Sequence, residues 1–464
     1  MMFKVAFRSI FRNSRRSVAT MATIAIGATA MLVFGAYTIY VTYGLQTSAV
    51  ERLGHLTISR AGYFDFGTGD PAAWGIAHYD AVAKLIETDP VLGPLVTVVT
   101  PVQAVAGIAG NFEGGQSRTF MGTGFVPSDR DRMVRWNEYG IGSNAKPSGL
   151  ADNKPGEGII GLGLARTLGL CKQLHLSDCP QMPEAAAPDA AKRDAAGLPK
   201  QDFSGLADVG RAQPADAKPH IDLLAATAMG APNVVSLTVA HAQPQGVREL
   251  DDIYVGMNLK LAQRLVYGRG EPEATGIVVQ LARTGDITKA RARLLALFGE
   301  HHLDLEVHDF TEIDPTYLQI LNLFHSIFFF IAIIIGIVVI FTVSNAMGMS
   351  VMERTDEIGT SRALGVRRSG IRRQFLMEGS IMGILGATLG VAFAVIVSYL
   401  VNRMGITYLP PGQAQAVPLR LYMIGAWGFV AAVWGVLVVV STLAALFPAN
   451  RAAKLQIVDA LRHV

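Results

Sequence analysis

Few residues in this sequence have the types and spacing that catalysis or ligand binding needs. A phosphate-binding loop requires Gly-x-x-x-x-Gly-Lys-[Ser/Thr], in which backbone N–H groups and a lysine hold the phosphates, but the dipeptide Gly-Lys never occurs. The glycine-rich stretch 156–163 fits a tight turn as well as a catalytic loop. His301, His302 and His308 lack the His-Glu-x-x-His spacing of a zinc site, which favours a solvated polar loop. We therefore predict no catalytic residue, no metal site and no enzyme.

A charged segment between two long apolar runs is the most distinctive pattern. Residues 353–365 read Glu-Arg-Thr-Asp-Glu-Ile-Gly-Thr-Ser-Arg-Ala-Leu-Gly, with two glutamates four residues apart on one face of a predicted helix. Gly365 can end that helix. A short exposed helix with charged flanks and a small apolar tip suits docking into a cleft on a partner. A purely solvated face explains the charges but leaves Ile358, Ala363 and Leu364 without a local core.

Hydrophobic residues make up 50% of the chain and charged residues only 17%, whereas soluble domains are closer to a quarter charged. Four stretches lack Asp, Glu, Lys and Arg, and each exceeds the roughly 20 residues that a helix needs to cross a bilayer. They are residues 17–50, 315–352, 379–402 and 421–450. A charge at the bilayer centre costs about 2.5–3.5 kcal/mol, so we predict four transmembrane helices. Their predicted bounds are 17–45, 317–349, 376–402 and 421–447.

The first apolar run has an alternative interpretation as a cleaved signal peptide, because basic residues precede it. Signal peptides have apolar regions of only about 7–15 residues, and this run is much longer. Tyr37, Tyr40 and Tyr43 near its far end are typical of an aromatic anchor at the membrane interface. An uncleaved helix is therefore favoured.

The short connecting segments differ in basic residues. Five precede the first span without an acidic residue, and six arginines lie between the second and third spans. The positive-inside rule then places both termini and the 350–375 loop in the cytoplasm. The first residues, 1–16, form a predicted amphipathic helix with its cations toward lipid phosphates. The remaining segments are an outer domain (46–316), a short outer loop (403–420) and a cytoplasmic tail (448–464).

The outer domain is long enough to fold around its own core. Strand-like and helix-like segments alternate in it, which predicts an α+β domain. About 181–218 is poor in large apolar residues and predicts a mobile surface insert. Predicted strands cover 55–60, 95–105, 118–124, 234–241, 253–255 and 275–281, and predicted helices cover 79–87, 258–266 and 287–298. The formal net charge of +3 follows from topology and gives no indication of nucleic-acid binding.

The two cysteines, Cys171 and Cys179, are close in sequence and lie on the outer side in this topology. In an oxidising compartment they predict a short-loop disulfide, with a pair of free thiols as the alternative. Between the two cysteines, His175 and Asp178 are the only side chains that commonly bind metal ions, and His175 is the only one of them typical of a structural zinc site. A four-ligand zinc site is therefore unfavourable.

The predicted third span contains two Gly-x-x-x-Gly motifs. Small residues at this spacing let helix backbones approach closely in lipid, which favours helix packing over a substrate path. The four glycines are Gly379, Gly383, Gly386 and Gly390. His325 is an ionisable group within the second predicted span, two turns from its outer end, where an interfacial position is favoured.

Three segments resemble the FtsX/MacB-like permease family, also called type VII ABC transporters. Residues 353–366 match Glu-Arg-x-x-Glu-Ile-Gly-x-x-[Arg/Lys]-Ala-[Leu/Ile]-Gly-[Ala/Val] throughout. Residues 448–462 are similar to the family's C-terminal Pro-Ala-x-Arg-Ala-Ala-x-x-x-Pro-x-x-Ala-Leu-Arg, although Ile457 replaces the second proline. Residues 250–257, followed by Ala262, resemble the segment before the second helix of MacB-type permeases.

This resemblance implies four transmembrane helices in a one-plus-three plan and a MacB-like periplasmic core domain, in the bacterial inner membrane. It implies a dimer with a second permease copy or a paralogue, docked on a separate cytoplasmic ABC ATPase that binds the ATP, so that no cofactor is expected on this chain. The residues expected to couple to the ATPase are Glu353, Arg354, Glu357, Ile358, Gly359, Arg362, Ala363, Leu364 and Gly365.

The family divides by what its members act on. LolC/LolE-like members extract lipoproteins, MacB-like members drive periplasmic efflux, and FtsX relays motion to cell-wall hydrolases. The resemblance thus implies membrane lipids and a periplasmic protein or lipoprotein as further partners. The predicted spans show no row of charged groups, which disfavours a hydrated pore. An envelope sensor or scaffold that signals inward without transport is the alternative from another class.

Overall fold

The computed structural model describes residues 14–111, 115–141, 145–176, 218–409 and 416–456. The chain divides into two compact units. The sheet unit comprises Thr47–Asp314 with Leu409–Ala416, and the helical unit comprises Met1–Gln46, Pro315–Tyr408 and Val417–Val464. The predicted amphipathic helix 1–16 and the predicted insert 181–218 fall almost entirely outside the described residues.

Helices and strands are numbered in chain order. The helices are α1 (Ser14–Leu53), α2 (Tyr79–Thr88), α3 (Pro127–Met133), α4 (Leu162–Thr167), α5 (Arg248–Asp251), α6 (Leu259–Tyr267), α7 (Ile287–Glu300), α8 (Phe310–Ile313), α9 (Pro315–Glu353), α10 (Thr355–Ala363), α11 (Arg368–Met404), α12 (Trp427–Ala444) and α13 (Leu446–Lys454). The strands are β1 (Leu56–Arg60), β2 (Val96–Asn111), β3 (Gln116–Phe125), β4 (Glu157–Gly161), β5 (His220–Ala226), β6 (Pro232–Gln243), β7 (Tyr254–Asn258), β8 (Gly276–Leu281), β9 (Leu305–Asp309), β10 (Thr407–Tyr408) and β11 (Val417–Pro418).

The sheet unit is built on nine strands in the order β3-β7-β4-β6-β5-β2-β8-β1-β9. An additional pairing between β3 and β2 closes six of these strands into a ring. The long strand β2 makes this possible, because its 16 residues pair with β8 near one end and with β3 and β5 near the other. The antiparallel β2–β3 pair begins at Asn111 and Gln116 and runs to Val102 and Phe125.

Two apolar clusters form the core of the sheet unit. One lies within the ring of strands and α6, and includes Phe120, Leu237 and Val255. The other packs α2 and α7 against β1, β8 and β9, through residues such as Ile86 and Leu294. Strand β8 is buried at every position, consistent with its central place between β2 and β1. The alternation of buried and exposed residues in β5 shows that its two faces differ.

The stretch 156–163, whose composition fits a tight turn as well as a catalytic loop, contains β4 and the start of α4. Its glycines are explained by close approach of neighbouring groups. A Cβ on Gly158 would lie 2.6 Å from a Leu237 methyl, and one on Gly161 would lie 2.0 Å from the backbone oxygen of Asp251. Glycine permits close packing in a strand as readily as it permits a turn, so composition alone does not predict which of the two this stretch forms.

Four helices in the described part of the chain are long and apolar enough to cross a membrane. They are α1, α9, α11 and the segment 427–454 that contains α12 and α13. Helix α1 continues to Leu53, beyond the span end predicted at 45, and α9 starts two residues before the predicted 317. The apolar run sets the length that a bilayer can hold, whereas the helix itself ends where its backbone hydrogen bonding ends.

Candidate coupling site

The predicted coupling segment forms α10, a nine-residue helix between α9 and α11. The helix ends in a Schellman-type cap, since the Val366 N–H donates to the Ser361 oxygen at 3.1 Å and the Gly365 N–H to the Arg362 oxygen at 3.0 Å. Gly365 has φ +95°, a left-handed conformation that side chains other than glycine rarely adopt. Helix α11 then begins at Arg368, so the chain makes a sharp corner over a few residues.

The apolar tip of this corner is exposed. Leu364 keeps 82% of its surface and Val366 keeps 40%, and Ala363 is exposed as well. A Cβ built on Gly365 would meet no atom within 4 Å. A leucine this exposed makes few contacts with its own chain, so its side chain is available to another surface.

Ile358 and Gly359 lie on the opposite, buried face of α10. Ile358 keeps only 5% of its surface and belongs to the core of the helical unit together with Ile371 and Phe375. The expectation that Ile358 lacks a local core was therefore wrong. The core forms between α10 and the first turns of α11, which are separate in sequence. Ile358 holds α10 in place, and the free apolar surface is limited to the tip.

Arg354 joins α10 to α11. Its Nη1 donates to Glu378 Oε1 at 2.8 Å and its Nε to Glu357 Oε2 at 3.1 Å, while its guanidinium lies 5.6 Å from the centre of the Phe375 ring. The Arg354 and Glu378 side chains are 11% and 4% exposed, so this ion pair is buried. Removing one member of such a pair leaves an uncompensated charge. Arg354 thus fixes the start of α10 against α11.

Two further contacts tie the ends of the segment to other helices. Arg16 of α1 forms an ion pair with Glu353, with Nη1 donating to Oε2 at 3.1 Å. Arg362 donates to the backbone oxygen of Leu455, just after α13. Glu357 remains largely exposed beside the tip, at 48% of its side-chain surface. Of the nine predicted coupling residues, the structure therefore directs some outward and uses others to fix the position of the helix.

The two glycine pairs of α11 contact different helices. A Cβ on Gly379 would lie 2.5 Å from the Ala445 Cβ, and one on Gly383 would lie 2.8 Å from the Ser441 Cβ. On the other pair, a Cβ on Gly386 would meet Ile24 at 2.8 Å, and one on Gly390 would meet Ala28 at 2.4 Å. Helix α11 is thus in close contact with α1 on one side and with the α12–α13 junction on the other.

The sequence alone did not identify Glu378, Phe375 or Leu455 as members of this site. Glu378 had a visible signal, because it is a lone carboxylate directly before the charge-free run that starts at 379. Such a residue needs a partner when it is buried. Its arginine lies 24 positions earlier, at the junction between α9 and α10.

The other predicted sites have separate positions. Cys171 follows α4 and is disulfide-bonded, but Cys179 lies outside the described residues, so the pairing of the two stays a prediction. Among the residues that the structure describes, no group of three or more His, Cys, Asp or Glu side chains is arranged to hold a metal ion. His308 lies in β9 rather than in a loop, between Glu306 and Glu312 at 3.1 Å each.

The segment that contains α10 is similar in sequence to known permeases. A model of the FtsX-like permease C-terminal family matches residues 326–457, which run from within α9 to just beyond α13. The lipoprotein-releasing system transmembrane protein LolC of Neisseria meningitidis is 26% identical over 371 residues, covering 78% of this chain and 76% of the relative. The chain is thus similar to ABC permeases of the FtsX, MacB and LolC type, and the match to the family model lies in residues 326–457.

Two other relatives of this permease share mainly the C-terminal part. The ABC transporter permease YtrF of Bacillus subtilis is 38% identical over 136 residues, 29% of this chain and 30% of the relative. The macrolide export ATP-binding/permease protein MacB of Escherichia coli is 32% identical over 137 residues, 29% of this chain and 21% of the relative. The matches thus span less than a third of either protein.

Proposed function

We propose that this permease is the transmembrane subunit of an ABC transporter complex, and that α10 carries force from a separate cytoplasmic ATPase. This proposal rests on the contrast between Leu364, which is exposed at the tip, and Arg354 and Ile358, whose buried contacts fix the position of α10. A docking element needs an apolar contact for affinity and a rigid attachment to transmit movement. The corner has both.

The contacts that hold α10 in place reach the membrane helices that would have to move. Glu353 ends α9 and is paired with Arg16 of α1, Arg354 is paired with Glu378 of α11, and Arg362 bonds to Leu455 after α13. A push on α10 would therefore be felt by several membrane helices at once. Closure of a dimeric ATPase would in this way move the sheet unit through α1 and α9, which connect to it in the chain.

We further propose the orientation that the basic residues favour. Both termini and α10 lie in the cytoplasm, the sheet unit lies in the periplasm, and the spans follow a one-plus-three plan in the inner membrane. The permease would act as a dimer with a second copy or a paralogue. This orientation agrees with the positive-inside rule, since six arginines lie between residues 354 and 373, most of them around the start of α11.

We propose a lipidated or otherwise hydrophobic cargo, or a mechanical relay, as the output of this movement. The spans lack a row of charged groups that would line a hydrated pore. The LolC relative is named for releasing lipoproteins and the MacB relative for exporting macrolides. Transport of a small hydrophilic solute across sealed vesicles by the permease and its ATPase would contradict this proposal.

Co-purification from native membranes, followed by mass spectrometry, tests the ATPase partnership. We expect an ABC ATPase with the unaltered permease, and its loss from Leu364→Asp and Glu357→Lys variants that still insert into the membrane. Thr360→Ser is a matched control, because it is an exposed position on the same helix and keeps its hydroxyl group. Equal recovery of the ATPase from all variants would contradict the proposed coupling role.

A further inference from the structure

A cleft in the sheet unit lies where β1 ends, next to the segment that leads into α2. It encloses 560 Å³. Small or apolar residues form much of its wall, among them Ala77, Val82 and Leu303. Three charged side chains also line it, and they are Arg60, Glu273 and Asp304.

The charged groups of this cleft are not neutralised by one another. Within the described part of the chain, neither carboxylate has an ion-pair or hydrogen-bond partner. The Arg60 guanidinium instead lies over the Trp74 ring, 6.0 Å from its centre. Other carboxylates of the sheet unit are engaged, as Asp89 is by Arg293 at 2.8 Å. Two open carboxylates against one cation give the cleft a net negative charge, which favours a cationic ligand.

Gly75 brings Glu273 close to the backbone at this cleft. A Cβ on Gly75 would lie 2.1 Å from Glu273 Oε2 and 2.6 Å from the Tyr267 hydroxyl oxygen. The backbone of Gly75 has φ −66°, which any residue can adopt. Glycine is therefore needed here for space, and the space is occupied by the carboxylate of Glu273.

Tyr267 is a fixed, neutral part of the same wall. Its hydroxyl donates to the backbone oxygen of Ala72 at 3.4 Å, and Gln103 also hydrogen-bonds to it. Burial, with a further contribution from the Glu273 charge, raises the pKa of Tyr267, so the phenol stays protonated at physiological pH. The carboxylate of Glu273 is thus the acceptor that a ligand meets, beside a wall that needs no rearrangement.

We propose that this cleft binds an aliphatic cation, with an ammonium or guanidinium group on Glu273 and an alkyl stem against the apolar wall. Lysine and arginine side chains have this form, because their stems pack on apolar surfaces while their heads remain charged. The cation could come from a basic side chain of another protein or from a free alkyl diamine. This inference concerns the sheet unit and does not depend on the coupling role of α10.

Saturation-transfer NMR on the full-length protein in lipid nanodiscs tests the proposal. The probes are Nα-acetyl-lysine N-methylamide, its norleucine counterpart, which has an alkyl chain without a charge, and cadaverine. We expect the lysine probe to bind and the norleucine probe not to bind. Displacement of the lysine probe by cadaverine at lower concentration would identify a site for free diamines, and the reverse order a site for protein side chains. Equal binding of the lysine and norleucine probes, or no binding of either cation, would overturn the proposal.

Variants connect the binding to the cleft. Glu273→Gln keeps the size of the side chain, and loss of its charged hydrogen bond should weaken lysine-probe binding by tenfold or more. Glu271→Gln is the matched control, because Glu271 is exposed and does not line the cleft. Gly75→Ala should weaken binding as well, because its methyl group displaces the carboxylate. Far-UV circular dichroism checks folding, and unchanged binding by folded Glu273→Gln protein would overturn the proposal.

Discussion

The buried ion pair between Arg354 and Glu378 should stabilise the helical unit far more than the exposed pair that the same arginine makes with Glu357. The Glu378 side chain is 4% exposed and that of Glu357 is 48% exposed, at distances of 2.8 Å and 3.1 Å from the guanidinium. Breaking a buried pair typically costs about 3–5 kcal/mol, whereas an exposed pair contributes about 0–1 kcal/mol.

Glu378→Gln removes the charge and keeps the size of the side chain. We expect a loss of about 3 kcal/mol, at the lower end of that range, because the glutamine oxygen can still accept a hydrogen bond from Arg354. At the 2–4 °C per kcal/mol typical of a folded unit of this size, the melting temperature should fall by about 6–12 °C. Glu357→Gln, the matched control, should lower it by no more than about 4 °C, because an exposed pair contributes about 0–1 kcal/mol.

The assay is thermal unfolding of the purified permease in detergent, with the double variant Arg354→Gln/Glu378→Gln completing a cycle. Because the double variant leaves no unpaired charge at the buried site, it should be less destabilised than the sum of the two single variants. Effects that add within about 0.5 kcal/mol would refute the coupling. Equal effects of Glu378→Gln and Glu357→Gln would refute the argument from burial.

Three further predictions concern other parts of the chain. Gly390→Val should push α1 away from α11 and lower the free energy of unfolding by about 1–3 kcal/mol. Gly336→Val is the control and should change the free energy of unfolding little, because a Cβ on Gly336 would meet no atom within 4 Å. Equal melting temperatures of the two variants would contradict this prediction. Burial lowers the pKa of His55 to about 4, so the folded state favours the neutral imidazole. The free energy of unfolding should therefore fall as the pH drops from about 6.5 toward 4, and the loss should be about 2 kcal/mol at pH 5. His55→Gln should reduce that pH dependence, and an identical pH profile would contradict the assignment. Non-reducing peptide mapping should find Cys171 joined to Cys179, and two free thiols would contradict the bridge.

Local sequence patterns were enough to predict many of the individual elements. The helices predicted at 79–87, 258–266 and 287–298 correspond to α2, α6 and α7, because an apolar face at helical spacing is a local property. The corner after α10 was also predictable, since Gly365 supplies a conformation that few residues adopt.

Contacts between distant segments were not predictable from those patterns. The closure of the ring through β2 and β3 depends on the length of β2, which extends six residues beyond the predicted end at 105. Ile358 was interpreted as unpartnered because its neighbours Ile371 and Phe375 belong to another helix. Strands β5 and β9 were missed, and their place in the sheet depends on pairing with β2, β6 and β1.

Photo-crosslinking in living cells from position 364 tests the central claim most directly. Leu364 would be replaced by benzoylphenylalanine, which is tolerated at a side chain that keeps 82% of its surface. We expect an adduct between the permease and a cytoplasmic ABC ATPase, and no such adduct from the exposed position Arg135 in the sheet unit. An adduct from position 364 with a periplasmic protein, or an ATPase adduct from position 135, would contradict it.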